Sequence, residues 1–289
     1  MIPIIFKFKH NQIWQLYDYC GIINNIKDKR GFKMSTIKDK IYFTYNGLNS
    51  RDFGLMSIET GSGMYEEQLV ADRSIIETST RNGKPLFNRI DEKPLSFSLN
   101  LAFEKKFDEF AIDEIIDWLF QDYYKPLYFE GKEDRIYYCM PEGSSSIVHN
   151  GLMEGYVTLI MRCDSSRLYS SEITTEQLSY NGITPVEKEI INIGHYDIST
   201  RISIDKVGDG DVSITNNGNT FMITGLKNNE SIYIDSDREI IESDIINTYR
   251  YNNIVGEFEY LTLKKGLNNI VISDGACIVQ IKYTNRYKA

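Results

Sequence analysis

The sequence has few of the residues that most often carry chemistry. Its 289 residues include three histidines and four cysteines. The histidines, His10, His149 and His195, are far apart, with no H-E-x-x-H or H-x-H spacing. We find no G-x-S-x-G, P-loop or G-x-G-x-x-G pattern, and Gly61 to Gly63 lack the following helix and lysine that would hold a phosphate. We therefore predict no enzyme, and no catalytic, cofactor-binding or metal-binding residues.

The cysteines are also arranged unlike a metal or redox motif. Cys20, Cys139, Cys163 and Cys277 form no C-x-x-C pair, and none has a histidine at metal-ligand spacing. This spacing predicts isolated thiols, mostly on strands, in a reducing compartment.

Long apolar runs and an excess of positive charge are missing as well. The net charge of −9 argues against sequence recognition of nucleic acid, which needs clustered lysine and arginine. The first apolar run ends after six residues, at Lys7, which is too short for a membrane span or a signal peptide. We expect neither nucleic-acid recognition nor membrane insertion.

Residues 1–33 differ in charge from the rest of the chain. They carry a net charge of +4, against −13 for the remainder. One interpretation is that this atypical basic leader lies upstream of a true start at Met34. The other is a basic arm that packs on a neighbouring subunit.

Neighbouring carboxylates provide the remaining candidates for chemistry. Glu66 with Glu67, or Asp235 with Asp237, suggest a glycosidase or a calcium ligand set. The stretch DKVGDGDVS resembles a calcium loop but lacks the terminal glutamate, and Gly-Asp-Gly-Asp is common in hairpin turns. A solvated turn is the favoured interpretation.

A period of two dominates the chain from Tyr42 onward. In IYFTYNGL, Phe43 and Tyr45 alternate with Thr44 before an Asn46-Gly47 turn, which predicts a first strand and hairpin. Alternation over 95–103 and 156–163 predicts two longer strands with one buried face each, typical of antiparallel sheets.

One segment, 107–124, follows a helical period instead. Its apolar residues recur at intervals of three and four and predict a buried face: Phe107, Phe110, Ala111, Ile115, Trp118 and Leu119. Acidic residues near its start and Pro126 after it fit the two ends of a helix. Core packing is the simpler role for this amphipathic helix, and a subunit contact is the alternative.

The composition and periodicity of the sequence change after Arg167. Residues 168–189 are polar with no sustained period, which predicts a linker. Short alternating strands with Gly- and Asn-rich turns follow, and they indicate an all-β sandwich or jelly roll. We therefore predict a mainly β fold with two antiparallel β-sandwich-type domains, at 34–170 and 171–289.

The order of these motifs resembles the distal tail protein family of long-tailed bacteriophages. The resemblance rests on YFTYNGLNSRDFGLM, the strand at 95–103, IIDWLFQDYYKPLYF, RIYYCMPEG and EGYVTLIMRCDSSRLYS. The closing GEFEYLTLKKGLNNIVIS is similar to the pattern F-x-x-L-x-x-G-x-N-x-I. Its positions can be filled by Phe258, Leu261, Leu263, Gly266, Asn268 or Asn269, and Ile270 or Ile272. The match covers residues 40–289.

That resemblance implies a ring-forming structural hub. The first domain, with its inserted helix, would assemble into a hexameric homo-oligomer, and a galectin-like second domain would project outward. The implied partners are a tail-tube protein, a tail-tip or baseplate hub protein and a receptor-binding protein, in a virion tail tip or prophage product assembled in the bacterial host cytoplasm. The alternative is a carbohydrate-binding module for host glycans, with weak glycan binding through exposed aromatic residues, and a cell-wall hydrolase is the third hypothesis.

Overall fold

The computed structural model describes residues 41–58, 70–150 and 154–288. The predicted leader 1–33, the start at Met34, and Cys20, Glu66 and Glu67 lie outside these residues. The described part is mainly antiparallel β structure, as the sequence predicts, with a single α-helix.

The strands of the first half form one large sheet and, from the fourth and fifth, a separate two-stranded hairpin. They are β1 Phe43–Tyr45, β2 Leu48–Asn49, β3 Leu55–Ser57, β4 Arg73–Thr78, β5 Leu86–Glu92, β6 Ser96–Phe103, β7 Lys125–Phe129, β8 Tyr137–Glu142, β9 Ile147–His149 and β10 Gly155–Cys163. The helix α1 is Glu109–Leu119. Asn46 and Gly47, both with positive φ, form the predicted turn between β1 and β2.

One eight-stranded sheet organises this half. Its order is β2-β1-β7-β8-β10-β6-β3, with β9 also on β10. An isolated bridge between Ile41 and Ser57 joins the β1 side to β3, so the sheet curls round its own core. The alternating residues predicted for β10 (Val157, Leu159, Met161 and Cys163) are buried in this core. The strand predicted at 95–103 is β6.

The strands of the second half form two larger sheets and, from the first and last, one two-stranded sheet. Their bounds are β11 Arg167–Tyr169, β12 Ile173–Thr174, β13 Leu178–Tyr180, β14 Val186–Asn192, β15 Thr200–Lys206, β16 Gly210–Asn216, β17 Asn219–Leu226, β18 Ser231–Asp235, β19 Ile240–Ser243, β20 Ile254–Val255, β21 Gly266–Ser273, β22 Cys277–Tyr283 and β23 Arg286–Lys288. Short 3-10 helices lie at Tyr251–Asn253 and Phe258–Leu261.

These sheets form a sandwich. One has the order β12-β22-β15-β18-β19, with β13 also on β22, and the other is β14-β21-β16-β17-β20. Residues of both contribute to one hydrophobic cluster that includes Ile202, Phe221 and Val279. The inward alternation of β15 and β22 produces this core.

The predicted linker at 168–189 is wrong. Its residues form β11, β12, β13 and the start of β14, and Leu178 and Tyr180 are buried in the second core. Strands of two or three residues are too short to show a period, and partners more than 90 positions away supply their pairing.

The last strand joins the two halves. β23 pairs with β11, and Tyr287 is buried in the first cluster. The Arg135 guanidinium lies 3.6 Å from the centre of the Tyr287 ring. His195 Nδ1 accepts a 3.0 Å hydrogen bond from the backbone N–H of Lys288. The domain limits 34–170 and 171–289 stay predictions, and the C-terminal strand crosses between the two clusters.

Candidate interaction surfaces

The β4–β5 hairpin is exposed on both faces. Five of the six residues of β4 and six of the seven of β5 are exposed. Ile75 lies opposite Ile90 on one face, and Ile76 lies opposite Arg89 on the other. A two-stranded hairpin with no covered face has little stability in water. Exposed apolar residues on both faces therefore indicate that another surface covers this hairpin.

The base of the hairpin is held firmly. The backbone N–H of Lys93 donates to Asp72 O at 3.0 Å, and Lys93 Nζ lies 2.9 Å from Asp72 Oδ2. This hydrogen bond and the lysine charge hold the pKa of Asp72 below its ordinary value. On the opposite strand, Glu92 Oε2 accepts a hydrogen bond from Ser166 Oγ at 3.1 Å. These contacts close the base of the hairpin and join it to Ser166.

Helix α1 is anchored by its buried face. Asp108 caps it by accepting the Ala111 N–H at 2.8 Å. Trp118 donates its Nε1–H to Tyr45 O at 2.8 Å and stacks on Phe53 with ring centres 4.2 Å apart. These contacts fix the helix on the sheet, as the core-packing interpretation requires.

The helix is shorter than predicted, and one predicted buried residue is wrong. It spans Glu109–Leu119 rather than 107–124, because Asp108 is the N-cap and Phe120 leaves helical dihedral angles. Phe110 is 81% exposed instead of buried. Ile115, Trp118 and Leu119 are sufficient to fill the contact with the sheet.

The outer face of the helix combines apolar groups with negative charge. We define the helix surface as the exposed side chains of Phe110, Asp113, Ile116, Asp117 and Phe120. Six acidic residues and no basic one lie in 107–124. An apolar surface bordered by charge of one sign is suited to a partner with apolar residues and the opposite charge.

The tip of the hairpin has that opposite charge, and one of its cations, Arg89, is paired with Asp91 beyond the tip. We define the hairpin surface as exposed side chains from both faces and the turn: Ile75, Leu86 and Phe87, with the turn cations Arg81 and Lys84 and with Arg89 of β5. Residues 78–90 contain these three basic residues and no acidic one. The hairpin and helix surfaces are therefore complementary in charge and alike in exposed apolar side chains.

The sequence-predicted carboxylates are used in turns. Asp235 Oδ1 accepts the backbone N–H groups of Asp237 and Arg238, at 3.0 and 3.2 Å. Asp237 Oδ1 accepts hydrogen bonds from Ser199 and Arg286. Asp235 therefore closes the β18–β19 turn, and Asp237 joins this turn to Ser199 and Arg286.

The calcium-like loop has the same character. Asp209 Oδ1 accepts the Asn228 N–H, and Asp211 Oδ1 accepts the Gly225 N–H, each at 2.8 Å. Within residues 41–58, 70–150 and 154–288, no three His, Cys, Asp or Glu side chains form a metal-binding cluster. In the same ranges no helix has the length and apolar character that crossing a membrane requires.

Two of the three histidines lie in the described part of the chain, in different surroundings. His149 is exposed, with Nδ1 3.0 Å from Asn150 O. His195 lies at the junction of the two halves, where its ring contacts Tyr287 edge-on. His10 lies outside the described residues.

Comparison with known proteins identifies the family of the chain. Residues 38–165 match the family model of a phage tail protein N-terminal domain, and residues 172–283 match that of a phage tail C-terminal domain. The SPbeta prophage-derived uncharacterized protein YomH of Bacillus subtilis (strain 168) is 33% identical over 256 residues, covering 87% of this chain and 99% of YomH. The chain belongs to the phage tail protein family.

The fold of this tail protein is also found among solved structures. The crystal structure of the SPP1 Dit (gp 19.1) protein aligns with a TM-score of 0.63 and 14% identity, covering 86% of this chain and 99% of that one. SPP1 Dit is described as a paradigm of the hub adsorption apparatus in phages that infect Gram-positive bacteria. The predicted family resemblance is confirmed, and the carbohydrate-module alternative is not favoured.

The closing motif of the tail protein has a structural role. Asn268 is fully buried, and its Oδ1 accepts the Lys264 N–H at 2.8 Å while its Nδ2 donates to Lys264 O and Gly266 O. Gly266 has a φ of 93°, which favours glycine. Asn268, and not the exposed Asn269, therefore fills the asparagine position of the motif and closes the turn before β21.

Sequence reasoning missed the hairpin surface. Asn82-Gly83 between two apolar segments was an available hairpin signal, and Gly83 has a φ of 72°. What the sequence could not show is that neither face of this hairpin packs on the described part of its own chain.

Proposed function

We propose that this tail protein is a structural hub, a ring that joins the tail tube to the tip or baseplate and anchors receptor-binding proteins. Membership of the phage tail family and the fold shared with SPP1 Dit support this role. The proposal includes synthesis and assembly in the bacterial host cytoplasm, and a scaffold without enzymatic activity.

The exposed hairpin is the observation that carries the proposal. Its apolar residues need a cover, and the helix surface offers one with the opposite charge. Because the two surfaces lie on different elements, contact between copies is head-to-tail, and head-to-tail contacts close into rings when the rotation permits. We propose that the hairpin surface of one copy packs on the helix surface of the next, in a ring of six.

The second half would then provide attachment for other tail components. In this proposal the domain at 171–289 is galectin-like and projects outward, and the presence of two hydrophobic clusters supports a division from 34–170, with Tyr287 as the exception. Its contact with the first half through β11 and β23 supports a fixed rather than a swinging attachment.

Charge exchange on the full chain tests the ring. The hairpin variant carries Arg81→Glu and Lys84→Glu, and the helix variant carries Asp113→Lys and Asp117→Lys. We expect each variant to lose oligomers in size-exclusion chromatography with light scattering, because like charges would then meet across the interface. A chain that carries all four substitutions should associate again.

The control is Lys265→Glu, which reverses an exposed charge of the second half. It should leave the oligomer unchanged. A wild-type protein that stays monomeric at high micromolar concentration and does not bind a tail-tube protein would overturn the ring. If the wild type forms oligomers but the chain with all four substitutions does not, the ring would stand and only the hairpin-on-helix pairing would be overturned.

A further inference from the structure

Two of the cysteines predicted to be isolated face each other inside the first core. Cys139 of β8 lies directly opposite Cys163 of β10 in the antiparallel register. Both side chains are fully buried, and both thiols are free. Cys277, the third described cysteine, lies opposite Tyr180 and Lys206 instead.

The backbone hydrogen bonds identify the kind of pair. The N–H of Cys163 donates to Leu95 O on the other side of β10, at 2.8 Å. The next residue, Asp164, donates its N–H to Tyr138 O, at 2.9 Å. Bonds that flank the pair rather than connect it define a non-hydrogen-bonded antiparallel pair, in which the side chains come closest.

This geometry falls within the range of a disulfide. Cα atoms of such a pair are about 4.5 Å apart, and disulfides join Cα atoms about 4.4–6.8 Å apart. Contact with Cys163 and burial raise the pKa of the Cys139 thiol well above its ordinary value. The pair is therefore in position to be bridged but slow to ionise while it stays buried.

We propose that Cys139 and Cys163 form an intramolecular cross-strand disulfide when the protein meets a peroxide. One thiolate attacks the peroxide O–O bond and becomes a sulfenic acid as hydroxide leaves. The other sulfur attacks that sulfenic sulfur, the S–S bond forms, and the oxygen leaves as water. Overall, two thiols lose two electrons and two protons, and hydrogen peroxide is reduced to two waters.

The location gives the bond a consequence. β8 and β10 are neighbours in the sheet that carries helix α1. Tyr45, whose carbonyl holds Trp118, donates its hydroxyl to Cys139 O at 3.1 Å. Under the proposed function, the protein folds among reduced thiols in the host and then leaves for an oxidising medium. The disulfide would therefore stabilise the sheet that carries helix α1 after the protein is released.

Thiol counting on the full chain tests the proposal. All samples carry Cys20→Ser, so that every thiol counted has a known place. The reduced protein is incubated with hydrogen peroxide, or is unfolded and refolded with glutathione disulfide, which is reduced to two glutathione thiols and reaches the pair before it is buried. We expect reactive thiols under denaturing conditions to fall from three to one, and peptide mass spectrometry to find Cys139 linked to Cys163.

Stability provides the second measurement. We expect the oxidised protein to melt about 5–10 °C higher than the same sample after dithiothreitol. Cys163→Ala should keep its two thiols and show no such difference, whereas Cys277→Ala should still form the bond. Three thiols remaining after both treatments, or a bond that includes Cys277, would overturn the proposal.

Discussion

The two halves of this tail protein place their charges differently. Among the described residues, the buried charged side chains (Lys206, Glu230, Asp235 and Arg250) all lie in the second half. The first half has its charges on the surface, where they border exposed apolar side chains of the hairpin and the helix.

This difference separates the two halves by how their charges are satisfied. Buried charges are tolerated only when hydrogen bonds satisfy them, and Arg250 and Glu230 satisfy each other within the second half. Both halves expose apolar residues on regular elements, such as Ile191 of β14 and Leu267 of β21 in the second half. What distinguishes the first half is that its exposed apolar residues on the hairpin tip and on the helix lie beside charges of opposite sign.

The largest expected effect breaks the buried network of the second half. Arg250 forms a two-pronged ion pair with Glu230, at 2.5 and 2.7 Å, and both side chains are buried. Arg250→Ala would leave the carboxylate buried without its partner. We expect a loss of about 3–5 kcal/mol in the free energy of unfolding, measured by urea denaturation.

A surface ion pair of the first half is the control for that change. Arg162 lies 3.4 Å from Glu142, and both side chains are about half exposed. Arg162→Ala should cost about 0–1 kcal/mol. Equal losses in the two variants would show that the halves do not differ in this respect.

A smaller loss is expected at the closing motif. Asn268→Ala removes hydrogen bonds to both backbone groups of Lys264 and leaves them partly buried. We expect a loss of about 1–3 kcal/mol by the same denaturation assay. Asn269→Ala, one residue later on the exposed side of β21, is the matched control and should change stability by less than about 0.5 kcal/mol. The assignment of the motif to Asn268 would be wrong if Asn269→Ala cost more.

Acid should weaken the second half through Glu230. Burial by itself would raise the pKa of Glu230, but hydrogen bonds from Arg250 and Ser243 outweigh it and hold the pKa below the ordinary value of 4.5. As pH falls, the unfolded chain therefore binds this proton at a higher pH than the folded chain does. Its contribution to stability is complete above pH 4.5 and is lost as pH falls through the lower folded value.

Denaturation at several pH values between about 3 and 6 measures this dependence. Glu230→Gln removes the titrating group, so its free energy of unfolding should be lower at neutral pH and should fall less steeply on acidification. A variant that follows the wild-type slope would assign the acid sensitivity to other carboxylates.

Local patterns account for what the sequence predicted. The turn at Asn46-Gly47 and the alternation of β10 depend on residues next to each other in the chain, and both are confirmed. The helix was found by the same means, although its ends depend on the Asp108 cap and on dihedral angles at Phe120.

Long-range pairing accounts for what it missed. β12 and β13 exist because β22 lies beside them, and Cys139 meets Cys163 only through the register of β8 on β10. Phe110 fits the helical period of the core, yet the sheet contacts Trp118 and leaves Phe110 outside. A periodic pattern shows that a residue could be buried, and the fold decides whether it is.

The smallest effect on stability belongs to the first half, and it sharpens the comparison most. Phe110→Ala removes a largely exposed ring, so the free energy of unfolding of the monomer should change by less than about 0.5 kcal/mol. If the helix surface binds another copy, the same change should weaken association by at least about tenfold, since a buried aromatic anchor contributes about 2 kcal/mol or more to an interface. Ile183→Ala, an equally exposed side chain of the second half, should alter neither quantity. Sedimentation of the three proteins over a range of concentrations decides, because unchanged association in Phe110→Ala would mean that the ring is built on another face.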